Sequence, residues 1–430
     1  MIGNDTQTEH QAPQPDRRGA FSLLFASLLA IGAGNTMLIA AVIPFLTRQL
    51  EMPDWTAGAI FSLSAAVWTF CSPFWGRKSN ELGRRPVVAI GLLGYSLSMG
   101  LLGLVAWLAL EGYIQGVALT LAGLLFARSL FGLIGSGTSP AAQAYVADRT
   151  SPEQRTQEIA SVTAGFSVGT VAGPAFAATL SAMFGLLSPV FFTCGLAALM
   201  SYLVYKYLPE NTPPKKPSDS KPKNLPGAQG LWRNPKVLPF LIYAVGLSLV
   251  TGVLTQSFIF AVIDKLASTG VTGVEANQYA APAFMMGAVG TLLAQLVLIP
   301  RLHLTNRGFM IAGALMLATG ALMIIPAQAF AVLVTAQFLV GLGQGLARPG
   351  FSAGASLAVG PELQGNVAGL VIAANGMGFI VSPFFGPFLY EFVHPALPFA
   401  LAATMLILLA IFARYFVDNT LAEGNANAGD

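Results

Sequence analysis

The sequence predicts an all-α polytopic membrane protein, with twelve transmembrane helices in two pseudo-symmetric six-helix bundles. Three observations carry that prediction. Of 430 residues, 54% are hydrophobic and only 10% charged, whereas an ordinary soluble chain carries about 25% charged residues. Twelve apolar stretches are each long enough to cross a bilayer, which takes about 20 residues. The two halves of the chain also repeat each other at a constant offset.

Taken in order, residues 1–19 (MIGNDTQTEHQAPQPDRRG) are polar and are expected to form a disordered cytoplasmic tail. The apolar run behind them is too long for a cleavable signal core. Spans then follow at roughly 20–46, 55–75, 86–109, 117–145, 157–183 and 188–208. After the longest break come roughly 237–262, 277–299, 308–327, 329–354, 365–390 and 396–416. That break, 209–236, is rich in Pro, Lys and Ser and cannot bury enough apolar surface to fold alone. The expected organisation is therefore a bundle over 20–208, a cytoplasmic linker over 209–236, a second bundle over 237–416 and a cytoplasmic tail over 417–430.

Basic residues set the orientation. With the amino terminus inside, the cytoplasmic side collects Arg17, Arg18, Arg77, Lys78, Arg84, Arg85, Arg149, Arg155, the linker lysines, Arg301, Arg307 and Arg414. The outside collects only Arg48 and Lys265, so both termini are expected in the cytoplasm of a plasma (bacterial inner) membrane protein. Cys71 and Cys194 each lie in an apolar span and read as single buried thiols, which supports neither a disulfide frame nor a metal site.

An offset of 209 residues places Gly132 on Gly341, Pro140 on Pro349, Pro152-Glu153 on Pro361-Glu362, Gly169 on Gly378 and Pro174 on Pro383. Arg128 then falls on Gln337. Spans four and five thus correspond to spans ten and eleven, as in duplicated transporters.

Arg128 is the anomaly in this pattern, because a charge at mid-membrane costs roughly 2.5–3.5 kcal/mol on insertion scales. It is followed by Gly132, Gly135 and Gly137, and the next span carries Gly165, Gly169 and Gly173 before Pro174. Small residues at i and i+4 let two helix backbones touch. Between the second and third spans the chain reads Gly76-Arg-Lys-Ser-Asn80-Glu81-Leu-Gly83-Arg84-Arg85-Pro86.

These three motifs, in this order across nearly the whole chain, resemble the major facilitator superfamily. The loop is similar to its G-x-L-A-D-R-x-G-R-K/R signature, with Asn80 at the acidic position and Glu81 at the arginine that follows. In the family that acid latches the cytoplasmic gate. Asn80 is expected to cap a helix end instead, and Glu81 to supply the displaced charge. The fourth span is similar to the family's R-x-x-x-G-x-x-G pattern. Ala160, Gly169, Gly173, Pro174, Ala177 and Ala178 resemble the G-x8-G-x3-GP-x2-GG signature of the twelve-helix drug:proton antiporter branch, with Ala for three of its glycines. The resemblance implies two bundles rocking about a central cavity.

Polar side chains at mid-span are the candidate lining of that cavity. They are Asn35 and Thr36, Arg128, Thr251 and Gln256, Gln337 and Gln344, and Asn375, with Arg348 nearer the cytoplasm. Phe258, Phe260, Phe284 and Phe338 are candidate apolar wall. For any one of the amides, an interhelical hydrogen bond is the plain alternative; for Arg128 it is structural bonding to backbone carbonyls or amide neighbours. No Asp or Glu lies at mid-span, and His10, His303 and His394 lie in the tail or loops. Arginine cannot carry a proton, so the candidate proton carriers are the peripheral Asp148, Glu158 and Asp264, the last at the outer mouth. Two arginines without a carboxylate favour neutral or anionic substrates over cations.

The expected function is secondary transport: export of a small amphipathic organic compound, neutral or anionic, with proton antiport as one driving force. Organic-anion uptake is the alternative, with Arg128 and Arg348 clamping a carboxylate or phosphate. A non-transporting, transporter-like sensor is the second alternative, and it would be expected to carry an extra domain. Nothing in the sequence supports catalysis, a cofactor, a nucleotide-binding loop or nucleic-acid binding. The expected partners are the small-molecule substrate, the bilayer and protons, and the expected state is a monomer.

Overall fold

Gly83 shows how the backbone separates one traverse from the next. Its φ of 96° lies where only glycine is comfortable, and it ends one long helix and begins another. The computed structural model describes residues 17–150, 152–210, 230–268, 270–271, 274–302, 304–359 and 363–417. Residues 1–16, most of the 209–236 segment and residues 418–430 lie outside the described residues.

Among the described residues, twelve long helical units follow in order. α1 comprises Arg17–Met37, a π-helical turn Leu38–Val42 and a last segment Ile43–Gln49. α2 is Trp55–Leu82 and α3 is Arg84–Leu110. α4 runs Val117–Leu133, tightens into a 3-10 turn at Gly135–Gly137 and resumes at Thr138–Ala147. α5 is Pro152–Phe184, α6 Ser188–Tyr207 and α7 Leu238–Ala267. α8 runs Val274–Leu293 through a second π-helical turn, Ala294–Leu298, to Ile299–Arg301. α9 is Asn306–Ile324, α10 Phe330–Leu357, α11 Gln364–Phe392 and α12 Leu397–Phe416. Among the described residues, eleven of these are long and apolar enough to cross a membrane. α5 is the exception: it has 33 residues, but it opens on charged and polar residues and is diluted by Gly, Ala, Ser and Thr.

The fold is the predicted all-α one, and α2 is longer than its apolar run. Nothing between Trp75 and Leu82 breaks a helix, so the Gly76–Leu82 stretch is α-helical up to Gly83. Asn80 therefore sits inside the last turn, exposed, and caps no helix end.

Each half contains a close helix pair at matching places, α1 with α5 and α7 with α11. A Cβ at Gly169 of α5 would lie 2.2 Å from the Leu29 carbonyl oxygen of α1, and one at Gly165 would lie 2.3 Å from that of Phe25. Reciprocally, Gly32 of α1 admits the Phe166 carbonyl at 2.2 Å. In the second half, Gly252 of α7 admits Ser382 Oγ at 1.9 Å, and Gly378 of α11 admits Ser248 Oγ at 2.2 Å. Such approaches leave no room for a side chain, which is why small residues recur at these contacts. Across the halves, α2 packs along α11 and α5 along α8. An even number of traverses returns Phe416 to the face where Arg17 begins, here called the terminal face; the opposite end is the far face.

Candidate functional site

Arg128 lies midway along α4, where Leu124, Ala127 and Phe131 anchor the helix in the core. Its own carbonyl accepts from Ser64 Oγ of α2 at 3.2 Å. Beside it, Gly132 lets the α2 backbone come within 2.8 Å of a Cβ position. Arg128 is 3% exposed. Nη2 donates to Asn35 Oδ1 of α1, and the Phe131 ring lies 4.5 Å away, with Phe61 at 5.9 Å. Nε and Nη1 are buried without a hydrogen-bond partner. A buried donor left unmatched costs on the order of 1–3 kcal/mol, so two unmatched nitrogens make this position costly for an arginine.

The second half is neutral at the matching place. Gln337, the repeat position of Arg128, is buried with its side chain lying over Gly287 of α8. The surroundings of α10 identify its free face. Gly341 and Gly345 press on α8, Gly343 and Gly350 on α9, and Gly354 on Phe240 of α7. At 100° per residue, Gln344 and Arg348 fall between the α8 and α7 directions. Gln344 is half-buried and Arg348 exposed.

The remaining candidates divide. Thr251 bonds back to the Ser248 carbonyl at 3.2 Å and Thr36 to those of Gly32 and Ala33, so both hydroxyls are spent within their own helices. Gln256 Oε1 and Asn375 Oδ1 are buried without a partner, while Asn375 Nδ2 donates to the Val371 carbonyl at 3.0 Å. Phe258 and Phe284 meet edge to face at 5.4 Å, and Phe338 presents its carbonyl to Gly290. Among the described residues, a hydrogen bond joins two of the polar lining candidates, Asn35 and Arg128.

The basic loop is held to its own half. Arg84 Nε donates to Asp148 Oδ2 at 3.0 Å, and Arg84 Nη1 reaches Ser79 Oγ. The backbone N–H of Arg85 donates to Glu210 Oε2 at 2.6 Å, giving the first turn of α3 a carboxylate cap. Glu81 pairs with Lys78 on its own helix, and the acid that faces Arg84 is Asp148. Gly76 passes beside Pro140 at 3.9 Å.

At the far face the two halves are tied by charge. Arg48, at the end of α1, is gripped by Asp54, with Nε to Oδ1 at 3.0 Å and Nη2 to Oδ2 at 2.7 Å. The same guanidinium donates to both oxygens of Asp264 at the end of α7 and lies 5.1 Å from the Phe260 ring. Burial opposes the charge on Arg48, but bonds to the two aspartates outweigh it and hold its pKa above the ordinary arginine value. Tyr390 of α11 donates to Asp264 Oδ2 at 2.7 Å. Nearby, Glu391 accepts the Trp55 N–H at 3.1 Å and Ser62 Oγ accepts that of Phe384 at 3.1 Å.

The family model of the Major Facilitator Superfamily matches residues 24–372 and 283–430. The chain belongs to the major facilitator superfamily. It is 26% identical over 394 residues to "Multidrug resistance protein 2" of Bacillus subtilis (strain 168), covering 90% of this chain and 91% of that one. Over 162 residues it is 32% identical to the class C tetracycline resistance protein of Escherichia coli, 36% of each chain. Its fold is similar to those of the nucleoside transporter NupG (TM-score 0.70, 14% identity, 92% and 98% covered) and the human organic anion transporter MFSD10 (TM-score 0.64, 18% identity, 93% and 100% covered). This is an integral membrane transporter of small molecules, not an enzyme.

Within this superfamily fold, the third candidate acid, Glu158, stands apart from the other two. It borders a cleft of about 530 Å³ between α1 and α5 at the terminal face, shared with Arg18, Phe25 and Ser161. Sequence reasoning did not single out Asp54, Tyr390, Glu391 or Glu210. For the far-face group the available signal was Arg48, which with Lys265 was a basic exception on the outside. Its partner Asp264 lies 216 residues away, and nothing local announces the pairing.

Proposed function

We propose that this transporter exports a small amphipathic organic compound, neutral or anionic, from the cytoplasm by alternating access between its two halves. The observation that carries the reading is Arg128: a buried guanidinium with two unmatched nitrogens and an amide, not a carboxylate, as its side-chain partner. An anionic or carbonyl-bearing substrate supplies the missing acceptors. Asn35, Gln256, Gln337, Gln344, Asn375 and Arg348 then serve as the polar lining on the facing helices. The multidrug and tetracycline resistance names of the relatives support the outward direction. We take both termini, the linker and the terminal face as cytoplasmic, and the transporter as a bacterial inner-membrane monomer. The named ties between the halves lie toward the far face, which fits a state open to the cytoplasm.

Proton antiport is the proposed drive. Asp148 is engaged with Arg84 and Asp264 with Arg48, whereas Glu158 faces an open cleft. The α1–α5 glycine contact is the antiporter-type packing. Uptake of an organic anion is the second reading, favoured by the exposure of Arg348 on the free face of α10. Proteoliposome transport under an imposed pH gradient, run beside Arg128→Ala, tests these. Flux that follows the gradient and falls at least tenfold in the variant is expected. Flux indifferent to the gradient removes antiport, and normal flux in Arg128→Ala removes the substrate role.

A further inference from the structure

The α1–α5 seam keeps one register down to a cleft at the terminal face. Gly165 faces the Phe25 carbonyl and Gly169 that of Leu29, an offset of 140 residues in both contacts. α1 and α5 run parallel from the terminal face, so the same offset sets Glu158 level with Arg18, about two turns below Gly165 and Phe25. There the helices part around the cleft of about 530 Å³, within the size range of small-ligand sites. Opposite charges thus stand at one height on the two sides of the cleft. Yet among the described residues neither Arg18 nor Glu158 forms an ion pair or a hydrogen bond. Thr150 spends its hydroxyl on the Val146 carbonyl at 2.9 Å, whereas Ser22 and Ser161 are exposed and uncommitted. Phe21 and Phe25, both half-buried, line the same cleft.

We propose that this cleft binds the headgroup of an aminophospholipid, a zwitterion carrying one phosphate and one primary ammonium. Helix ends at the terminal face lie at the level of the lipid headgroups. Arg18 takes the phosphate, whose oxygens suit a planar guanidinium. Glu158 takes the ammonium, a three-donor group matched to a carboxylate acceptor. Ser22 and Ser161 donate to the ester oxygens between the two. Phe21 and Phe25 lie deeper, against the glycerol and the upper acyl chain. The choice of ligand follows from charge. A purely anionic headgroup satisfies Arg18 but meets Glu158 as a like charge, and a choline headgroup offers the carboxylate no N–H. A primary ammonium beside a phosphate satisfies both. The inference requires only that the terminal face lie at a membrane interface, and it is independent of the substrate. A proton on Glu158 and the lipid ammonium compete for one carboxylate, so binding is measured at fixed pH without a gradient.

The test is lipid binding to the full chain, delipidated in detergent and followed by native mass spectrometry. The probes are dioleoyl phosphatidylethanolamine, dioleoyl phosphatidylcholine and dioleoyl phosphatidylglycerol, which share their acyl chains. The first is expected to bind about fivefold more tightly than either of the others, the scale of one partly exposed charge contact. Glu158→Gln is expected to lose that preference while binding phosphatidylglycerol at least as well as the parent, which reports that it is folded. Arg18→Gln is expected to weaken phosphatidylethanolamine to the phosphatidylcholine level. Three lipids that bind alike overturn the proposal, as do variants that keep the parent's preference. Displacement of the lipid by an equal concentration of soluble O-phosphoethanolamine would assign the site to the free ester and overturn the lipid. Should Glu158→Gln fail to fold, Ser22→Trp fills the cleft from an exposed position and is expected to abolish the preference.

Discussion

Gly58 of α2 and Pro383 of α11 meet backbone to backbone: a Cβ at Gly58 would lie 1.9 Å from the Pro383 carbonyl oxygen. Pro383 has no N–H for the helix ladder, and the next residue, Phe384, gives its N–H to Ser62 across the same contact. Here the halves close to a separation that only glycine permits. Gly58→Leu is expected to wedge them apart, lengthening the distance between spin labels placed at Gln115→Cys and Gln328→Cys on the far face of the two halves, and lowering flux several-fold. Unchanged distances would show that the contact does not set closure.

Arg128 separates function from stability. Its removal takes away a buried charge with unmatched donors, and replacing such a group with an apolar side chain of similar volume is often neutral or stabilising. Arg128→Met is therefore expected to keep or raise Tm in detergent while losing transport. A fall in Tm of more than a few degrees would mean that the bond to Asn35 is structural.

The α1–α5 seam predicts a graded series. Gly169→Val forces a branched side chain onto the Leu29 carbonyl and is expected to cost at least about 1–3 kcal/mol, the range for overpacked cores. Gly195 of α6 has nothing within 4 Å of its Cβ position, so Gly195→Ala is expected to be neutral or to stabilise by up to about 1 kcal/mol. Thermal unfolding followed by tryptophan fluorescence ranks the two.

Glu210 caps α3 from beyond the end of α6. Glu210→Gln keeps an acceptor and is expected to be mild, whereas Glu210→Ala is expected to cost about 0.5–2 kcal/mol, the scale of a lost helix cap. Equal Tm for the two variants would remove the capping role.

Much of this is legible in the sequence. Helix number, halves and the small-residue seams are written in local composition, because a bilayer demands long apolar runs and close helix contacts demand small side chains. The basic loop is legible as a motif but not in its pairings. Asn80 has the residue type of a cap, but helix α2 runs on through it to Leu82 and the chain turns at Gly83. Likewise Glu81 is spent on Lys78, three residues away, and the acid facing Arg84 comes from α4.

What the sequence determined by itself is the class of molecule and the anomaly of Arg128, since both follow from hydrophobic transfer of residues read one span at a time. What only the tertiary structure decided is pairing: Asn35 with Arg128, Arg85 with Glu210, and Arg48 with Asp264. Those partners are brought together by helix packing across tens to hundreds of residues. The energy of a charge in a membrane depends on what faces it, not on what precedes it in the chain.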